Sequence, residues 1–359
     1  MFVFKPDYEQ AKQRIDAWWN GEILDRPLTY ITFPKPENER VPVPQSQHPT
    51  HRDRYMDVDF QADRALAQIA NNVYYGDAMP VAMPNLGPDV FAAFYGCPLE
   101  FGAHTSWSKP ILHDWSPENV DRIRLDTDNL YYKKILELTD AYIERGKGKF
   151  IVGVTDLHAG GDAIAAFRDP QNLCLDMLTN PDEVKALVDR VTDDLFKLYD
   201  VYRERTRTAG MPCSSWIHLV SDGLFHIPSN DFSCMISDAQ FEDIFLPGIA
   251  RECAHMTHNI YHLDGPKALR FLDRLLEVPN LQAIQWVPGA GNEGWRRWLH
   301  VYKRIQQARR GFMVWVNAAE LDEFMDAIGP QGAFLTVSGV KNQEEADAVL
   351  KKVARWGRR

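Results

Sequence analysis

Cysteine is scarce and unpaired in this chain. The five residues (Cys97, Cys174, Cys213, Cys234 and Cys253) are odd in number and widely spaced, with no Cys-x-x-Cys among them. That excludes a disulfide framework and a zinc ribbon, and it leads us to expect a reducing, cytoplasmic setting. No apolar run approaches the ~18 residues that a bilayer span needs, and the amino-terminal segment turns polar within a few residues, so neither a membrane protein nor a leader segment is expected. Positive charge is in the minority: 40 Lys and Arg face 50 Asp and Glu, a net charge of −10. Such a surface repels phosphate backbones and anionic lipids, so no nucleic-acid or membrane partner is expected. Gly-x-Gly-x-x-Gly, internal repeats and low-complexity tracts are also missing, which removes the main support for a dinucleotide-binding fold or a solenoid.

What is present is an alternation. Of the 359 residues, 45% are hydrophobic and 25% charged, a balance that suits a soluble enzyme. Residues 7–20 place Ala11, Ile15, Trp18 and Trp19 on one side of an amphipathic helix, and residues 33–53 form a long loop with five prolines. Eight short apolar or β-branched runs fall at 28–33, 80–83, 150–155, 215–220, 259–263, 283–287, 312–316 and 333–337. Helical patterns lie between them at 130–145, 181–208, 238–257, 266–276, 294–309, 318–328 and 343–356, with start signals at Asn180, Ser237 and Asn342. Eight strands with interleaved helices predict an α/β protein, a single (β/α)₈ TIM barrel. We expect one domain over 1–359, with a helical and loop extension over 1–60 and the barrel body over 61–359.

In that architecture chemistry sits on the loops after the strands, and polar residues cluster there. The third run is followed by Asp156, His158 and Asp162 around a glycine-containing turn, and the fourth by His218, Asp222 and His226. The fifth ends in His262 and Asp264, which alternation puts on one face, where both can converge on an ion or a substrate hydroxyl. Trp286 and Glu293 follow the sixth run, Asn317 the seventh and Ser338 the eighth. We take His262 and Asp264 as metal ligands, and Asp156, His158, His218, Asp222 and Glu293 as catalytic acid, base or orienting groups. Asp162, His226, Trp286, Asn317 and Ser338 are taken as substrate-binding. Asp231, beside the loop that follows His226, reads equally well as a surface residue, and the spacing of Cys253, His255 and His258 on a helix favours structural roles.

Several segments, in order, resemble the uroporphyrinogen decarboxylase and corrinoid (coenzyme M) methyltransferase superfamily. Residues 116–123 (Ser-Pro-Glu-Asn-Val-Asp-Arg-Ile) and 150–167 resemble its approach to the third strand and the turn after it. Residues 235–247 resemble its Ser-Pro-x-x-Phe helix, Tyr261-His262-Leu263-Asp264-Gly265 its His-x-Cys-Gly turn, and residues 335–339 its last strand. The resemblance implies a single barrel and transfer of a methyl or alkyl group on a small polar molecule, with a divalent metal, zinc first, and a corrinoid carried by a partner protein. The departures matter: Asp264 replaces the first cysteine, Ser338 stands where a second is expected, Asn85 occupies the decarboxylase aspartate position, and residues 31–36 offer no arginine for substrate carboxylates. Thiolate ligands are therefore lost, and uroporphyrinogen is disfavoured as a substrate. Two other readings stay open. One is a decarboxylase, or a lyase or hydrolase on a carbohydrate-like molecule using carboxylates such as Asp156 and Glu293. The other is a barrel that binds without catalysis. A homodimer is the expected assembly.

Overall fold

The computed structural model describes residues 2–358. Among the described residues thirteen strands follow one another: β1 Leu28–Pro34, β2 Asn72–Gly76, β3 Val81–Ala82, β4 Leu99–Phe101, β5 Ser106–Ser108, β6 Ile151–Val152 and β7 Cys213–Ser214, then β8 Val220–Ser221, β9 Phe225–His226, β10 His258–Asp264, β11 Ala283–Val287, β12 Gly311–Asn317 and β13 Ala333–Ser338. Helices separate most of them, among them Leu130–Gly146, the 28-residue Pro181–Thr208 and Gln343–Trp356. The start signals act at Ser237, which forms a reciprocal capping box with Gln240, and at Asn342, whose side chain accepts from Glu345 N. Asn180 precedes its helix without a side-chain cap.

The central sheet has seven strands in the order β2-β1-β13-β12-β11-β10-β9, parallel throughout except for the antiparallel β1–β2 pair. Of the expected ring of eight paired strands, the structure shows a mostly parallel α/β sheet of seven; strand pairing does not close it among the described residues. The third and sixth strands pair with each other over two residues only, flanked by Pro80, Pro84 and Gly153. Proline donates nothing to a ladder, and glycine weakens a strand interior. Single bonds carry the arc onward, from Val154 N to Ser214 O at 2.8 Å and from Phe225 N to Cys213 Sγ at 3.4 Å.

The largest departure is the fourth expected run. Residues 215–219 are not a strand: β7 precedes them, they turn over, and β8 comes back antiparallel to β7 before β9 joins β10. The strand Asn72–Gly76 and the β4–β5 hairpin were not anticipated.

Within the first 60 residues, Leu28–Pro34 lies inside the sheet, and the helix Tyr8–Trp19 packs under the strands' N-terminal ends. Trp18 Nε1 donates to Gly332 O at 3.0 Å and Trp19 Nε1 to Val220 O at 2.9 Å. Trp19 also stacks on His258 at 4.5 Å. Gly311 is required beneath Trp18, where a β-carbon would lie 2.6 Å from the indole. Beside it Asp77, fully buried, receives both guanidinium nitrogens of Arg26 and the Thr29 amide. With that end covered, the C-terminal ends of β10 to β13 are left to carry a site.

Candidate functional site

Register decides which side chains share a face. His262 pairs with Gln285, Gln285 with Met313, Trp315 with Thr336 and Thr336 with Tyr30, so these six residues line one face of the sheet. On it, His262 Nδ1 lies 2.6 Å from Gln285 Oε1, while Gln285 Nε2 reaches Met313 Sδ at 3.6 Å. An amide oxygen only accepts, so Nδ1 carries a proton there, and Nε2 is the nitrogen left to ligate. Nε2 faces Asp231, whose Oδ1 is 3.9 Å away. One ligand atom each from Asp231, His262 and Asp264 lie within 4.8 Å of one another. The indole of Trp216 meets the His262 ring edge-on at 5.2 Å. His262 and Asp264 therefore converge on one face as expected, and the third member, Asp231, is one that sequence reasoning left open between a loop closing over a pocket and the surface; it stands exposed at the rim of the cluster.

Asp231 is placed by Asp162. One Asp162 oxygen accepts from Ser229 Oγ at 2.9 Å and Asp231 N at 3.2 Å, and the other from Phe232 N at 3.0 Å. With three donors on its carboxylate, Asp162 positions the 229–232 segment. Gly161 allows this approach, since a β-carbon there would meet the Asn230 amide at 2.3 Å. Burial, then the neighbouring Asp162 carboxylate, pushes the Asp231 carboxyl up to about 6.

Asp156 and His158 form a charge pair alongside, Nε2 to Oδ1 2.8 Å, although Nε2 is not aligned for a hydrogen bond. The other ring nitrogen is 3.9 Å from Asp162. Burial alone would neutralise His158, but Asp156, Asp162 and Asp231 outweigh it and push the imidazole up to about 10. Asp156 moves the other way: burial opposes its charge, and His158, His226 and His262 hold it below the usual carboxylate value. Across the face, His218 Nδ1 is 3.0 Å from Tyr30 Oη, and burial holds His218 neutral, down to about 4. Tyr30 is a second residue that the sequence did not single out; an aromatic within an apolar run carries no signal of its own.

The remaining expected residues lie elsewhere. Asp222 follows the descending β8, so it sits at the N-terminal end of the strands, exposed and paired with Lys12 at 2.8 Å. Its assignment as catalytic is corrected by that reversal. His226 is buried against Glu252, Nε2 to Oε2 3.1 Å, with its ring edge-on to Tyr199 of the Pro181–Thr208 helix. It faces the helical layer. Trp286 pairs in register with Leu263, on the face opposite His262, and is fully buried against Trp298 at 5.0 Å. It is core. Glu293 is exposed in the loop after β11 and accepts from Gly291 N at 2.9 Å. Asn317 accepts from Ala319 N at 3.0 Å, capping the turn after β12, and Ser338 pairs with it in register; both are exposed at the same edge as Asp264. Cys253 is buried, and His255 stacks on Phe196, so that group is structural.

The sequence matches no protein-family model and no curated protein. Among solved structures it is similar to a methyltransferase from Methanosarcina mazei, with a TM-score of 0.59 and 12% identity over 96% of this chain and 98% of that one. At that identity the likeness is one of fold, and it spans nearly the whole of both chains. No helix among the described residues is long and apolar enough to cross a membrane.

Proposed function

We propose that this chain is an enzyme of the uroporphyrinogen decarboxylase and corrinoid methyltransferase superfamily, a (β/α)₈ barrel in outline, that transfers a methyl or alkyl group on a small polar molecule at a divalent metal. The observation that carries the reading is the convergence of Asp231, His262 and Asp264 at the C-terminal strand edge, with His262 held in its ligating tautomer by Gln285. The donor set fits a divalent ion: one imidazole and two carboxylates, without a thiolate, suit zinc or a harder ion of the manganese kind. When bound, such an ion supplies Lewis-acid activation of a substrate thiol, hydroxyl or water.

The chain's own groups have separable tasks. His158, charged at neutral pH beside Asp156, offers an N–H to a developing anion or a proton to a leaving group. Asp162 holds the segment that brings Asp231 to the site. Neutral His218 and Tyr30 orient a polar substrate atom along the sheet face. The methyl donor in this reading is a corrinoid on a partner protein, as the sequence resemblance implies; the likeness of fold to a methyltransferase supports only the methyl transfer.

The test is metal content by elemental analysis, followed by demethylation of free methylcobalamin with a panel of small thiols and alcohols. About one equivalent of metal in wild type, lost in His262→Ala and Asp264→Ala, together with metal-dependent demethylation, is the expected outcome. Protein that takes up no zinc, cobalt or manganese on reloading overturns it. A second reading, acid–base lyase or hydrolase chemistry, is favoured by the partly buried Asp156–His158 pair and predicts turnover that survives chelation.

A further inference from the structure

Between the segment that follows β1 and the β4–β5 hairpin lies a cavity of about 820 Å³ that none of the groups above uses. His48, His51, Arg52 and Arg54 line it from the first segment, and Glu100 and Trp107 from the hairpin. In a chain of net charge −10 this wall is cationic. Arg52 is exposed and has neither a hydrogen bond nor an ion pair among the described residues, and the same holds for His51. Arg54 has no carboxylate partner: one terminal nitrogen donates to Gly102 O at 3.3 Å and Ala103 O at 2.7 Å, the group lies over Tyr55 at 4.9 Å, and its other nitrogens remain free to donate. Asp53, between the two arginines, is turned to Thr50 Oγ1 at 2.7 Å, and Glu100 is answered by Lys109 at 2.5 Å.

Across from these cations stands an indole that is held in place and still open. Trp107 Nε1 donates to Glu100 Oε2 at 2.9 Å, and its ring rests on Gly102, where a β-carbon would lie 3.1 Å from it, yet the residue is 49% exposed. A fixed indole stacks on a flat ring with little loss of freedom. Guanidinium groups match the oxygens of a carboxylate or phosphate, and several unopposed donors on one wall favour the more highly charged phosphate. The volume suits a whole small molecule. Ser108, the next residue of the hairpin, lines the cavity of about 400 Å³ that His158, Asp162 and Asp231 also line, so the hairpin is a wall shared with the candidate site.

We infer that this cavity binds a flat ring carrying a phosphate, the chemistry of a nucleoside monophosphate, with Trp107 against the ring and Arg52, Arg54 and His51 around the phosphate. The inference goes beyond the methyl-transfer reading and does not rest on it or on the metal.

The experiment is a calorimetric titration of the whole protein with adenosine monophosphate, with adenosine and with ribose phosphate, in the presence of a chelator so that no ion at Asp231, His262 and Asp264 can hold the phosphate. Adenosine monophosphate is expected to bind at least roughly tenfold more tightly than either fragment, since each lacks one of the two contacts. Arg52→Ala should bring its affinity down toward that of adenosine, and Trp107→Leu toward that of ribose phosphate; both side chains are exposed, so folding is not at stake. Three results overturn the inference: no binding of adenosine monophosphate, binding no tighter than that of either fragment, or binding that both variants leave intact, which would put the nucleotide elsewhere on the molecule.

Discussion

Asp156→Asn tests the electrostatics of the site at its centre. In the wild type, His158 is carried from its ordinary 6.5 to about 10, with burial opposing the change and Asp156, at 2.8 Å, first among the carboxylates that drive it. That span corresponds to at most about 5 kcal/mol of differential stabilisation, and a charge pair at this separation in a medium of effective dielectric ~20 accounts for a few kcal/mol of it. A histidine whose folded value is raised contributes stability in full below its unfolded value of 6.5, and loses it as the pH rises through about 10. Asp156, whose folded value is depressed below 3.8, contributes above that value and loses it as the pH falls through the depressed one. Removing the carboxylate takes away both contributions. His158 should then titrate near or below neutrality, and the variant should lose stability at pH 7, by no more than about 3–5 kcal/mol, the cost of breaking a fully buried pair, since this pair is partly exposed. The assay is urea unfolding from pH 6 to pH 10 on wild type and variant, with the His158 ring followed by NMR across the same range. Wild-type stability should fall through the window between 6.5 and 10, and the variant's should be nearly flat there. If the variant loses stability with pH as steeply as the wild type, Asp156 is not what charges His158, and the argument fails.

Three further outcomes follow from the geometry. Gln285→Leu keeps the buried volume but releases His262 Nδ1, so metal affinity measured against a competing chelator should drop by roughly 10–100-fold, with unchanged affinity refuting the tautomer assignment. Asp77→Ala leaves the buried Arg26 without its carboxylate, and thermal unfolding should show a loss of about 3–5 kcal/mol; a loss well under 1 kcal/mol counts against a structural role for the pair. Asp222→Ala removes only an exposed ion pair with Lys12 at the far end of the strands, so stability should change by less than about 1 kcal/mol and metal content not at all. Metal loss in that variant would contradict the topology of the 213–226 segment.

The alternation of apolar runs and helical patterns was readable in the sequence because secondary structure has local periods, and seven of the eight runs coincide with strands. The convergence of His262 and Asp264 was readable for the same reason, since i and i+2 on a strand always share a face. Periodicity does not say which face looks toward the site. Trp286 and Gln285 are adjacent, and only pairing across β10 and β12 puts Gln285 beside His262 and Trp286 in the core.

Direction was equally hidden. The run 215–220 is apolar enough for a strand, yet the chain turns back within it, and that reversal alone sends Asp222 to the opposite end of the sheet from Asp264. Asp231 gave no local signal, because what brings it to His262 is a contact with Asp162, 69 residues earlier in the chain. By itself the sequence determined an α/β protein with a histidine–aspartate pair at a strand end, since those features depend on neighbours a few residues away. The approach of Asp231 to His262 and the charged state of His158 were decided by the tertiary structure, because burial and electrostatic coupling arise only when distant segments pack.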